Sequence, residues 1–292
     1  MKKISRAFSL IELSIVILII GILVAGVTQS SRLVKKMRLQ TAQNLTTSSP
    51  IPSIKDLVFW YETSLDRSFI DNEEQDNSNI TIWYDLNPQT SSKYDATPPA
   101  VANRPKFIEN VFNGGSLPAI RFDGIDDYLR VSSVGLAGQQ LTYFVVAKRN
   151  AISPESSPLV GIKSGVIHDF DNIESFVGFY EWNGSQLQAF RAGGKSNITN
   201  HPGNNIPYVA SSVFNGTNNF SYLNGVAYTS VASSGNFVID NFYLACRWVN
   251  SGATSFYNAD FAEIIVFSRA LKDEERKSIE QYLGKKWGIK VS

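Results

Sequence analysis

Disulfide chemistry is excluded within this chain: 292 residues contain a single cysteine, Cys246. It lies in the aromatic run 241–248 and reads as a buried, inert thiol rather than a metal ligand. Histidine is nearly as scarce. His168 and His201 are far apart and have no second ligand at helical spacing, so the familiar metal-site patterns are missing. There is no Gly-x-Ser-x-Gly elbow and no phosphate-binding glycine loop. A glycosidase on a β-scaffold needs its acid and nucleophile on a shared face. Asp260 and Glu263 are three residues apart, which on a regular strand sends them to opposite faces. The chain therefore reads as non-enzymatic. Net charge is also almost lacking, at +1, but its distribution is uneven. Residues 1–45 hold Lys2, Lys3, Arg6, Arg32, Lys35, Lys36 and Arg38 against Glu12 alone, leaving 20 basic and 25 acidic residues in the remainder. A basic segment beside an apolar run suits a membrane surface. The mildly acidic remainder argues against a nucleic-acid partner.

What the sequence does contain begins with that apolar run. Residues 8–27 read FSLIELSIVILIIGILVAGV, about the length that spans a bilayer as a helix. A secretory signal would carry its small-residue cleavage site after the apolar core. Here a small residue, Ala7, stands before it, directly after Lys2, Lys3 and Arg6. Beyond the run, SSRLVKKMRLQTAQNL can stay helical, with its cations interleaved among Leu33, Val34, Met37 and Leu39. Glu12 is the only charge in the span. A carboxylate in hydrocarbon costs about 2.5–3.5 kcal/mol on insertion scales, so it must be neutralised, reach the interface or find a cation. Residues 44–53, NLTTSSPIPS, predict the end of the helix and a hinge.

After the hinge the texture becomes that of an all-β sandwich, with short apolar runs between turn signals. Strands are expected near 57–61, 81–84, 119–122, 128–131, 141–147, 175–180, 187–191, 208–214, 220–223, 226–229, 241–248 and 261–267. Asn224-Gly225 is the strongest hairpin signal, because a type I′ turn needs two positive φ values. Near the C-terminus Asp273 to Gly288 predicts a helix. Acids fill its first turn, Lys285 and Lys286 its last, and Ile279, Tyr282, Leu283 and Trp287 share a face. Gly288 suits its end, although Gly284 offers an earlier one.

Two resemblances add to this reading. AFSLIELSIVILIIGILVAG resembles the prepilin cleavage and methylation signal of type IV pilins and type II secretion pseudopilins. The resemblance implies that prepilin peptidase cuts between Ala7 and Phe8 and methylates the new amine of Phe8. Glu12, fifth from that amine, would pair with the N-terminal amine of a neighbouring subunit. Ala7 stands where the family usually has Gly. RFDGIDDYLRV, FSYLNGVAY and AEIIVFSRALKDEERKSIEQYLGKKWGI resemble segments of laminin G-like, concanavalin A-like jelly rolls. The organisation implied is a leader at 1–7, a transmembrane and assembly helix at 8–45, a linker at 46–54 and a lectin-like sandwich at 55–292. The fold class expected is mainly β: a long N-terminal helix, then an antiparallel sandwich with a C-terminal helix. The function implied is a non-catalytic, minor pilin-like subunit displaying its sandwich for adhesion or assembly. The rivals are a secretion pseudopilin and a membrane-anchored glycan-active enzyme. Its partners would be the peptidase, other pilin subunits, inner-membrane lipid and a glycan or surface protein. Its place would be the inner membrane, single-pass, with the sandwich extracytoplasmic and carried outward on assembly. Trp182 is a candidate for stacking on sugar, whereas Trp60, Trp83, Trp248 and Trp287 read as core. Asp123, Asp126 and Asp127 offer oxygens to Ca²⁺, but turn chemistry beside Gly124 accounts for them more simply, and no cofactor is expected.

Overall fold

The computed structural model describes residues 10–153, 155–170, 175–191 and 194–292. An unbroken helix, α1 (Leu10–Thr47), leads the chain. Its 38 residues extend about 57 Å at 1.5 Å per residue. The helix ends at the Ser/Pro cluster as the sequence predicts, but no hinge follows. Pro50 opens a single 3₁₀ turn, Ile51–Ser53, which turns Ile51 and Ile54 into the core. The Gln89 side chain ties this corner down by donating to the carbonyls of Pro52 and Ile54.

Two antiparallel sheets then build the sandwich. The first runs in the order β13 (Val226–Ala227), β12 (Asn218–Leu223), β11 (Pro207–Asn215), β6 (Gln140–Arg149), β19 (Asn258–Phe267), β3 (Leu117–Asp123) and β2 (Lys106–Phe112). β1 (Leu57–Glu62) also pairs with β19, and β14 (Val231–Ala232) with β12. The second sheet runs β10 (Gly194–Thr199), β9 (Gln186–Arg191), β8 (Phe176–Trp182), β7 (Leu159–Ile162), β16 (Asn241–Leu244) and β4 (Leu129–Val131). Two short ribbons, β5 (Leu136–Gly138) with β15 (Phe237–Ile239) and β17 (Arg247–Val249) with β18 (Gly252–Thr254), complete the strands described.

Strands β6 and β19 are buried at nearly every position because both faces of the first sheet are covered. Tyr143, Val145, Ala147, Ile264 and Val266 face the second sheet. Phe144, Val146, Ile265 and Phe267 face the other way, onto α2 (Asp273–Trp287) and the last turns of α1. A strand buried on both sides loses polar alternation. The Asn224-Gly225 turn is as predicted, with φ values of 50° and 80° between β12 and β13. Helix α2 runs through Gly284 and ends at Gly288. Gly284 is needed for close approach rather than termination, since a Cβ there would lie 2.7 Å from the Ile289 carbonyl oxygen.

Three expectations are corrected. Residues 81–84 form no strand; only Trp83 bridges to Ala96. The run 241–248 is broken at Ala245, whose φ of 65° separates β16 from β17. Finally, a β-bulge between Phe261 and Glu263 sets Asp260 opposite Lys148 and Glu263 opposite Val146. These partners are two residues apart on β6, so Asp260 and Glu263 share a face instead of opposing.

Candidate functional site

The N-terminal half of α1 makes no contact with the sandwich. Residues 10–27 are exposed throughout, and the helix carries an 18-residue window of mean hydropathy 2.9. By length and composition it can cross a membrane. Glu12 lies in its first turn. Ala7 and Phe8 lie outside the described residues.

The other half is fastened to the head. Ala42 and Thr46 are buried, and Leu39 and Leu45 pack on the cluster that contains Tyr282, Leu283 and Trp287. Lys35 Nζ donates to Asn110 Oδ1 at 3.0 Å. Arg38 donates to the Asn113 carbonyl at 2.8 Å, and Gln43 to the Ser64 carbonyl at 3.0 Å. Helix and sandwich are therefore packed and hydrogen-bonded together along this seam.

Beneath the seam sits a buried charge cluster that sequence reasoning missed. Lys286 Nζ is 2.7 Å from Glu62 Oε2 and 3.0 Å from Glu263 Oε2, and all three side chains are inaccessible. Glu263 also accepts from Trp60 Nε1, Trp287 Nε1 and the Tyr282 hydroxyl. Glu62 accepts from Ser64 and Leu65 backbone amides and the Ser64 and Ser68 hydroxyls. Burial pushes the Glu62 carboxyl upward, but Lys286 and Ser64 outweigh it and hold the group below its ordinary value. Burial dominates at Glu263, whose pKa is raised despite the same lysine. Asp260, on the same face, is claimed by Arg121 at 2.7 Å and Lys148 at 2.9 Å. Neither carboxylate reaches solvent, so their shared face works as framework.

The second sheet presents a different surface. Its inner residues, Phe179, Leu187, Phe242 and Leu244, enter the main core. Alternation sends Tyr180 and Trp182 of β8, Gln186 and Gln188 of β9, Tyr243 of β16 and Arg130 of β4 to the outer face. Trp182 is 40% exposed and its ring lies 5.9 Å from that of Tyr180. Arg247, in a bidentate pair with Asp169, covers Tyr180 at 4.5 Å. Trp248 lies on Tyr243 at 4.6 Å and is half-buried, outside the main core where it was expected. Arg130 donates to Asn241 Oδ1 at 2.9 Å. Tyr180, Tyr243, Gln188 and Arg247 are themselves buried beneath this cover, so of the rings named here Trp182 is the exposed one, and it can stack on a hydroxylated ligand. Only Trp182 was singled out from the sequence. The i, i+2 pair Tyr180 and Trp182 was the available signal.

The Asp123, Asp126 and Asp127 oxygens lie within 4.8 Å of one another. Asp123 Oδ1 accepts from the Ile125 amide at 2.7 Å, and Asp127 Oδ2 from the Asp123 amide at 3.1 Å. Burial and the neighbouring Asp123 push Asp127 up to about 7. Arg104, Lys106 and Arg121 line the same cavity, so local charge supports the turn reading. His168 Nδ1 accepts from the Asn250 amide and His201 Nδ1 from the Gly203 amide, both in loops. Burial, then Arg149, lowers His201 to about 4. Cys246 is fully buried, and burial raises its thiol well above the usual range.

The molecule is a membrane-type helix joined to a two-sheet antiparallel sandwich. The prokaryotic N-terminal methylation motif matches residues 2–28. No curated protein matches the chain. Among solved structures, Trypanosoma rangeli sialidase aligns with a TM-score of 0.50 and 16% identity, covering 80% of this chain and 33% of the sialidase. The same enzyme complexed with 2,3-difluoro-KDN gives 0.51 and 14%, covering 86% of this chain and 38% of that one. The chain thus spans little more than a third of the sialidase, and the likeness is one of fold.

Proposed function

We propose that this chain is a non-catalytic, minor pilin-like subunit whose sandwich displays the exposed Trp182 of the second sheet to a glycan. The observation that carries the reading is the methylation motif at 2–28 lying on a helix that is bare and apolar at one end and packed into the head at the other. Processing by prepilin peptidase would free the Phe8 amine, and the bare segment would then find its packing partners in other subunits. The packed seam would carry the head outward with the helix. A head of this size suits a low-copy or tip position better than dense packing.

Intact-mass spectrometry of the protein from its host tests the assignment. A chain beginning at N-methylated Phe8 is expected; one that keeps residues 1–7 would reject it. The glycan reading is tested separately by array binding. Trp182→Ala is expected to weaken binding at least tenfold while leaving thermal unfolding within a degree or so, because a side chain this exposed contributes little to the core. Unchanged binding would remove Trp182 from the site. Turnover of polysaccharide by the purified protein would overturn the non-catalytic reading.

A further inference from the structure

The apolar run at 8–27 locates the membrane on the helix. At about 1.5 Å per residue, 20 helical residues reach about 30 Å, the thickness of bilayer hydrocarbon. Arg32 is five residues, about 7.5 Å, beyond Val27, so this turn of α1 and the next lie among the lipid headgroups. There a groove of about 360 Å³ opens between α1 and the head. One wall is the helix face carrying Arg32, Lys36 and Leu39; the facing wall carries Asp66, Glu74 and Glu109.

The two walls have opposite charge yet do not neutralise one another. Among the described residues, Arg32, Lys36, Glu74 and Glu109 take part in no ion pair, although ion pairs are formed freely elsewhere in the head. Burial, then the negative neighbours Asp66 and Asp71, raises the Glu74 carboxyl to about 7. Among the described residues, the carboxylates of the acidic wall are thus not ion-paired to any protein cation, although Arg32, Lys35 and Lys36 line the same groove. Leu39 and Phe107 add apolar surface to the same groove.

We propose that the groove seats the headgroup of a membrane glycerophospholipid bearing both a phosphate and a primary ammonium. The phosphate lies toward Arg32 and Lys36, and the ammonium toward Asp66, Glu74 and Glu109. A primary ammonium brings three N–H donors to the carboxylates, whereas a trimethylammonium brings none. A glycerol headgroup has no cation for the acidic wall. This inference requires only that α1 crosses the membrane, and is independent of filament assembly.

The test uses the full-length chain in nanodiscs of equal phosphatidylethanolamine, phosphatidylcholine and phosphatidylglycerol, with lipid retained after mild detergent extraction counted by native mass spectrometry. The ethanolamine lipid is expected to be retained at least fivefold over either of the others. Arg32→Glu with Lys36→Glu should lower its retention at least tenfold. Glu74→Gln with Glu109→Gln should abolish the preference among the three lipids while leaving retention of phosphate-bearing lipid in place. Tryptophan fluorescence confirms that each variant is folded. Equal retention of the three lipids by the unaltered chain, a preference for phosphatidylglycerol, or an ethanolamine preference that survives both double substitutions would overturn the proposal.

Discussion

Replacing Lys286 with methionine is expected to destabilise the head by about 3–5 kcal/mol, the range for removing one partner of a buried ion pair. The side chain of methionine fills much of the lysine stem's volume, so the effect is electrostatic rather than a cavity effect. Glu62 and Glu263 face one another on β1 and β19, and Lys286 is the cation between them. Its removal leaves two inaccessible carboxyl groups whose hydrogen-bond donors remain but whose counter-charge is gone. Both folded-state pKa values then rise, Glu62 having lost the interactions that hold it down. A carboxyl whose pKa is higher folded than unfolded, where it is about 4.3, costs stability progressively as pH rises through that interval. The loss in Lys286→Met should therefore be largest near pH 8 and smaller near pH 5. Guanidinium titration of the detergent-solubilised full-length chain reads this out, with Trp60 and Trp287 beside Glu263 as fluorescent reporters. A deficit that does not change with pH would show that the lysine contributes packing alone. Replacing all three charged groups by apolar residues should restore only part of the loss. The indole N–H groups of Trp60 and Trp287 and the amides of Ser64 and Leu65 would still need acceptors.

Local signals made much of this architecture readable in advance. The apolar helix, the Asn224-Gly225 hairpin and the amphipathic C-terminal helix each depend on residues close in sequence, and each is found. The misses occur where distant groups decide. The run around Trp83 has strand composition, but Glu73 takes the Thr81 amide and the Ser68 carbonyl takes the Tyr84 amide, so ladder pairing is replaced. Ala245 leaves the extended region because its amide reaches the Pro158 carbonyl while its own carbonyl receives the Tyr257 amide. The bulge beside Ala262 reverses the parity of β19, which no composition rule anticipates. The outer side of the second sheet sets Tyr243 against Arg130, 113 residues away, and covers Tyr180 with Arg247 from a separate ribbon, contacts between segments far apart in the chain. The hinge was misread for the same reason. Pro50 and Pro52 do stop the helix, but the burial of Ile51 is set by α2 and the first sheet.

Glu12→Ala is expected to improve the subunit's partition into the membrane and to abolish its incorporation into a filament. The two effects have opposite signs because the carboxylate plays opposite parts in the two states. In the lone subunit it is an uncompensated charge in an apolar segment, and deleting it recovers about 2.5–3.5 kcal/mol on insertion scales. In the proposed assembly it meets the freed Phe8 amine of an adjacent subunit, within packing supplied by the bare apolar segment. Deleting it there leaves a cation without a partner in a poorly solvated place, a loss of about 3–5 kcal/mol. At 1.4 kcal/mol per factor of ten, incorporation should fall by roughly two to three and a half orders of magnitude. Sheared filaments and membrane fractions, compared by quantitative immunoblot, measure both quantities in the same cells. Intact mass must show the alanine variant cleaved and methylated, so that a processing defect is not mistaken for an assembly defect. An ordinary anchor has only the first effect: removing an acid from its span helps it insert and harms nothing else. Normal incorporation of the processed variant would therefore reject the pairing, even though the methylation motif and the membrane helix would both stand.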